Sequence, residues 1–250
     1  MDNYEDIGVV VLAAGKGTRM QSDKAKVLHC VNGRSMLFHV LDCAVKVSCD
    51  NVVVVVGHQA ERVKDEVKDT FHVAFALQEQ LLGTGDAVRV ALPLLRNKVR
   101  HVVVLCGDTP LVKTGTVKAL VDLHRASKNK LTVLGVDLDD PTGYGRIILD
   151  GENRLLSIRE EADASPDEKK ITLVNSGIYC VEKEFLTNAL DLLKPDNAQN
   201  EYYLTDVVGI ATSGGYKSGY VRGENAYEVL GVNTPAQLKA AESLSRGGDV

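Results

Sequence analysis

Residues 12 to 26 read LAAGKGTRMQSDKAK, and the types and spacing of these side chains point to phosphate chemistry. An apolar run, Ile7 to Ala13, ends in Gly15 and Gly17, and Lys16, Arg19, Lys24 and Lys26 follow with Asp23 as the only acid. Glycine lets backbone N–H groups approach an oxyanion closely, and cations neutralise it. The chain carries a formal net charge of -5, so this concentration of positive charge runs against its average. A strand ending in such a loop is a phosphate cradle in an α/β protein, although a tight turn with a solvated basic face would look similar. The P-loop spacing G-x-x-x-x-G-K-[ST] is absent. The dinucleotide fingerprint fails where it needs a third small residue, since Met20 stands there.

Further candidates lie along the chain. Asp108 follows the run His101 to Cys106, at the sheet edge where substrates bind. A carboxylate there can hold Mg²⁺ against phosphate oxygens, while Gly107-Asp108-Thr109-Pro110 is equally good turn chemistry. Gln78 offers a donor and an acceptor to a nucleobase edge, and Gly83 and Thr84 stand at a helix start. Gly145, Glu160, Asn175 and Asn233 are each ordinary surface residues when taken alone.

Alternating strand and helix signals must position these groups. Ser35 caps a helix whose Met36, Leu37, Val40, Leu41, Ala44 and Val45 share a face. The valine run Asn51 to Gly57 suits a strand covered on both sides. Next come a helix near Glu61 to Lys68, a strand over Phe71 to Leu77, and a helix after Gly85 with Ala87, Val90, Ala91 and Leu94 inward. The strand His101 to Cys106, a helix over Thr116 to Ser127 and a strand over Leu131 to Leu138 continue the order. This pattern predicts a doubly wound, mostly parallel sheet with ligands at the strand C-terminal ends.

From Pro141 the pattern becomes a hairpin turning on Asp150 to Asn153, then the strand Leu173 to Val181, which together read as an inserted β-rich lobe over the sheet edge. Thr234 and Pro235 start a last helix. One domain over 1–250 is expected, with about 1–140 as its nucleotide half, about 141–233 as the lobe and 234–250 as the C-terminal helix.

Composition narrows the function classes. A sequence pI near 5.7 disfavours a general nucleic-acid binder. The apolar runs are too short to span a membrane, and the N-terminus is acidic where a signal peptide starts basic. Five cysteines, at 30, 43, 49, 106 and 180, show no C-x-x-C pair, and the odd count suits reduced thiols in a cytoplasmic protein.

The motifs taken together resemble bacterial N-acetylglucosamine-1-phosphate uridylyltransferases, which have a glycosyltransferase-A-like fold. The segments are LAAGKGTRM (12–20), KVLH (26–29), Gln78 with LGTG (82–85), GDTPL (107–111), DDPTGYGRI (139–147), VNSG (174–177), NAQNEYYLTD (197–206) and GVN (231–233). The resemblance implies that Leu12, Ala13, Ala14, Gly15, Gln78, Gly83 and Thr84 hold uridine. It implies that Arg19 and Lys26 neutralise the triphosphate, and that Cys106, Gly107 and Asp108 line the ribose and metal region. Gly145, Glu160 and Asn175 would hold the sugar, and Asp108 and Asn233 would bind Mg²⁺.

The substrates implied are UTP and N-acetylglucosamine-1-phosphate, with neither nucleic acid nor membrane as partner; no residue pattern fixes an oligomeric state. The same chemistry on another sugar phosphate or nucleotide, or a non-catalytic sugar-nucleotide-binding subunit, would leave the phosphate loop unchanged. Two departures stand out. The family usually has Leu-Pro-Lys where this chain has Lys24-Ala25-Lys26. Typical members also continue into a left-handed β-helix that acetylates glucosamine-1-phosphate, an activity not expected from these 250 residues.

Overall fold

The structure, a computed structural model, describes residues 4–246. Strand β1 (Ile7–Leu12) runs into the glycine loop and two 3₁₀ turns, Thr18–Met20 and Lys26–Leu28. A short ladder of β2 (Cys30–Val31) and β3 (Arg34–Ser35) precedes α1 (Met36–Val47). Then β4 (Val52–Val56), α2 (Ala60–Val67), β5 (Ala74–Leu77), α3 (Thr84–Ala91), β6 (His101–Cys106), α4 (Thr114–Ala126) and β7 (Leu131–Asp137) alternate. They are followed by β8 (Arg146–Leu149), β9 (Leu155–Arg159), β10 (Leu173–Glu182), α5 (Lys183–Asp191), α6 (Asp206–Ser213), β11 (Ser218–Arg222), α7 (Ala226–Val229) and α8 (Pro235–Arg246). The last four residues of the helix expected over 234–250 lie outside the described residues.

The main sheet has the order β11-β7-β10-β6-β1-β4-β5. β1 pairs in parallel with β4 and β6, β4 with β5, and β7 with β11. The valine run explains itself here. Val52, Val54 and Val56 point into one core with Leu37, Leu41 and Val63, while Val53 and Val55 point into the other with Val88 and Ala91. A strand covered on both faces has no polar side to present. Ser35 caps α1 by accepting the N–H of Phe38 at 3.2 Å, and Thr234 caps α8 by accepting that of Gln237 at 3.2 Å. Among the described residues no helix is long and apolar enough to cross a membrane.

Some elements differ from expectation. β8 and β9 form the expected antiparallel hairpin, but β10 does not lie over the sheet edge. It runs antiparallel between β6 and β7, inside the main sheet. Its buried run Ile178 to Val181 is apolar enough for either place, and only pairing decides. β5 starts at Ala74 because Phe71 closes α2, donating its N–H to Val67 O, and packs its ring 4.9 Å from Phe38. On α3 the buried positions are Gly85, Ala87, Val88 and Ala91, with Val90 only partly buried; the helix ends at Ala91, so Leu94 lies beyond it and is exposed. On α1, Cys43 and Val47 are buried and Val45 only partly so.

Candidate active site

The loops after the central strands are bonded to one another. Gly107 N–H donates to Leu12 O at 2.9 Å, Ala13 N–H to Val55 O at 2.9 Å, and His58 N–H to Ala14 O at 3.0 Å. Leu12 and Cys106 are register partners at the ends of β1 and β6. The glycine loop therefore starts from a fixed base at the C-terminal edge of the sheet. Gly17 has φ +66, and a Cβ there would collide with the Lys26 side chain. Glycine at this position lets the lysine stem lie against the loop.

Lys26 reaches across this edge. Its Nζ forms an ion pair with Asp108 Oδ2 and donates to Asn233 Oδ1 at 3.0 Å. Arg19 Nη2 donates to the same Asn233 oxygen at 2.9 Å. Asp108 and Asn233 are held together by the backbone, since Val232 N–H donates to Asp108 O at 2.8 Å. Gln237, in the first turn of α8, accepts the N–H groups of Asn233 at 2.8 Å and Thr234 at 3.1 Å. The side chains of Lys26 and Asp108 are only 17% and 12% exposed, so the pair is poorly screened by water.

Two oxygen donors, one carboxylate and one amide, thus converge on one cation, which is an ammonium group. This donor set fits Mg²⁺, a hard ion that uses few protein ligands and keeps several waters. Among the described residues no group of three or more His, Cys, Asp or Glu side chains is placed to hold a metal.

A cleft of about 530 Å³ opens beside this group, lined by Leu12, Ala13, Ala14, Gly15, Lys26, Gln78, Gly83, Thr84, Cys106 and Asp108. Gln78 is buried, and its Nε2 donates to Gly83 O at 3.0 Å and Asp86 Oδ2 at 2.9 Å. The amide nitrogen is therefore committed to the protein, leaving the carbonyl oxygen as the group that can meet a base. Thr84 Oγ1 accepts the N–H of Leu204 at 3.0 Å, so this hydroxyl also anchors α3 to the segment before α6. Gly107 supports β1 through its N–H and is not part of the lining. A larger cleft, about 770 Å³, lies between α1 and α8; Pro110 and Leu111 of the GDTPL segment line it, but none of the candidate catalytic, substrate-binding or metal-binding residues does.

Glu160 and Asn175 both flank Gly145. Asn175 N–H donates to Gly145 O at 2.8 Å, and a Cβ on Gly145 would stand 3.4 Å from Glu160 Oε2. Glu160 accepts from Thr205 Oγ1 at 3.0 Å. Burial raises its pKa, the Thr205 hydrogen bond opposes this, and Asp206, Asp163 and Glu201 add to the rise. Asn175 sits where the β10–β7 register shifts; its Oδ1 accepts Gly177 N–H at 3.0 Å and its Nδ2 donates to Tyr179 Oη at 2.7 Å. Cys106 joins the two regions, lining the cleft while its Sγ faces Gly177 O at 3.7 Å. Burial, with Asp108 adding to it, pushes this thiol up to about 12.

The family described as nucleotidyl transferase matches residues 8–230. The chain belongs to the nucleotidyl transferase family. Its motif resemblance is borne out by the relatives, each described as bifunctional protein GlmU. That of Geotalea uraniireducens is 46% identical over 242 residues, 97% of this chain and 53% of its own length. The Clostridioides difficile protein is 44% identical, over 95% of this chain and 51% of its own length. The Desulfotalea psychrophila protein is 40% identical, over 98% and 72%. The chain thus spans about half the length of the first of these relatives. A solved Bacillus anthracis structure assigned as a glucose-1-phosphate thymidylyltransferase superposes with a TM-score of 0.76 at 19% identity, covering 98% of this chain and 97% of that one. At that identity the likeness shows the glycosyltransferase-A-like α/β fold.

Several residues that build this candidate site do not stand out in the sequence of this nucleotidyl transferase when taken singly. Glu201 lines the cleft, and burial raises its pKa. Tyr202 clamps the LGTG turn, its N–H donating to Leu82 O and its O accepting from Gly85 N–H, each at 2.7 Å. Thr205 holds Glu160. All three lie in NAQNEYYLTD, so the motif itself was the available signal. Gln237 had no such signal beyond its place in the first turn of α8.

Proposed function

We propose that this nucleotidyl transferase transfers UMP from UTP to N-acetylglucosamine-1-phosphate, giving UDP-N-acetylglucosamine and pyrophosphate. The observation that carries the proposal is the convergence of Lys26, Arg19, Asp108 and Asn233 at the lip of the cleft lined by Gln78 and the glycine loop. A sensor would need to bind the nucleotide, but it would not need cations beside a leaving group.

The residues divide the work by position. The Gln78 carbonyl accepts the imide N–H of uracil, and Leu12 to Gly15 with Gly83 and Thr84 enclose the nucleoside. Gly145, Glu160 and Asn175 hold the sugar. Its phosphate oxygen attacks the α-phosphorus in line, and pyrophosphate leaves towards Lys26 and Arg19, whose charge stabilises it. Asp108 and Asn233 would hold Mg²⁺, which when bound supplies positive charge against the phosphate oxygens. No covalent intermediate is needed, and Cys106 stays a neutral thiol because its pKa is pushed to about 12.

The chain acts as one nucleotidyltransferase unit, with residues about 1–140 holding the nucleotide and about 141–233 the sugar and the Asn233 ligand. Its product is a cell wall precursor, made in the cytoplasm where UTP is supplied. Pyrophosphate release, measured with Mg²⁺ across a panel of nucleoside triphosphates and sugar-1-phosphates, tests the assignment. UTP with N-acetylglucosamine-1-phosphate should be the best pair. Faster release with a thymidine or glucose substrate would reassign the specificity, and no release with any pair would make the chain a binding subunit.

A further inference from the structure

Gln59 belongs to none of the motifs above, yet its side chain crosses to the basic loop. It precedes α2 in a left-handed backbone conformation, φ 54, which side-chain-bearing residues adopt at a cost. Its Oε1 accepts the N–H of Ala25 at 3.2 Å, and its Nε2 donates to Asp23 O. Arg62 Nη1 stands 3.5 Å from the same Oε1. One amide thus grips the loop on both sides of Lys24, immediately before Lys26.

Ala25 is fully buried, so its N–H needs a partner, and Gln59 supplies it. The Ala25 backbone, φ -52 and ψ 135, is within reach of the φ of about -65° that a proline ring imposes. No ring holds it here. Ala25 also starts the 3₁₀ turn that carries Lys26, its carbonyl accepting Leu28 N–H at 3.0 Å. Rotation at Ala25 would therefore swing Lys26 away from Asp108 and Asn233.

We infer that Gln59 is a positioning residue for Lys26, doing with two hydrogen bonds what a proline at position 25 would do covalently. The inference rests on the proposed role of Lys26 in binding phosphate. Gln59→Ala, Ala25→Pro and the double variant test it, read by amide hydrogen exchange across residues 23–28 and by kcat and KM for each substrate. Gln59→Ala should speed exchange there and lower kcat/KM for UTP about five- to thirtyfold, as the loss of one or two neutral hydrogen bonds implies. KM for the sugar phosphate should not move.

On the Ala25→Pro background the same substitution should cost less than about twofold, because the ring already fixes φ. Equal losses on both backgrounds, or unchanged exchange in Gln59→Ala, would overturn the inference. Should Ala25→Pro not fold, Gln59→Glu decides by exchange. It keeps the acceptor for Ala25 N–H and loses the donor to Asp23, so the Ala25 amide should stay protected. An exposed Ala25 amide in that variant overturns the clamp. Exchange needs no turnover, so an inactive wild type would end the proposed reaction and leave the clamp to be judged separately.

Discussion

Lys26 and Asn233 lie 207 positions apart, and the ammonium of one donates to the amide oxygen of the other at 3.0 Å. Asp108 is the third member of this contact, and Arg19 approaches the same Asn233 oxygen from the exposed side. The N-terminal loop, the end of β6 and the start of α8 are thereby gathered around one charge-bearing point.

Removing either cation should slow the reaction without unfolding the chain. Lys26→Ala should lower kcat/KM by roughly tenfold to a few hundredfold, since a charge-assisted hydrogen bond is worth about 1.5–3 kcal/mol. Arg19→Ala should act more on kcat, because the charge it faces grows towards the transition state. Steady-state pyrophosphate release, with circular dichroism as the folding control, checks both. Full activity in both variants would mean the phosphate cradle is misassigned.

Asp108→Asn keeps the shape and removes the charge. Activity should fall and the Mg²⁺ concentration giving half-maximal rate should rise, as the proposed role of this carboxylate in holding a hard cation implies. The Mg²⁺-induced rise in melting temperature, measured in the presence of a non-hydrolysable UTP analogue, should shrink as well. An unchanged Mg²⁺ titration would remove Asp108 from the metal site.

Glu160→Ala and Asn175→Ala should raise KM for N-acetylglucosamine-1-phosphate and leave KM for UTP nearly unchanged. A site built to hydrogen-bond a substrate group rejects analogues lacking it, so the preference over glucose-1-phosphate should narrow as well. A rise confined to KM for UTP would exchange the assignments of the two regions.

Stability should depend on pH through His124. This side chain is fully buried, contacting His101 Nδ1 at 3.1 Å and Thr132 Oγ1 at 2.9 Å. Burial, followed by the charges of His101 and Arg125, lowers its pKa to about 4 from 6.5. Between those values the unfolded chain binds the proton that the folded chain refuses. Its contribution is therefore full above about pH 6.5 and lost as pH falls towards 4, with a slope of at most about 1.4 kcal/mol per pH unit. His101 is shifted the same way by burial. Urea denaturation at pH 5 and pH 7 should show a smaller difference for His124→Gln than for the wild type. Equal differences would place the titration elsewhere.

The sequence by itself determined the alternating core of the fold, because local pattern carries that information. The valine run at 52–56, Ser35 before α1 and Pro235 after Thr234 each act through near neighbours. The basic loop stood out for the same reason: two glycines and four cations fall within fifteen residues, a pattern visible without any distant contact.

Only the tertiary structure decided what those residues touch. β10 lies inside the sheet because its edges pair with β6 and β7, and an apolar strand does not encode its neighbours. The Gln78 amide nitrogen is committed to Gly83 and Asp86, which no residue type reveals. Lys26 meets Asp108 and Asn233 through a loop, a strand end and a helix start. The two Lys26 contacts close 82 and 207 residues of chain, and spacing along the sequence holds no record of it.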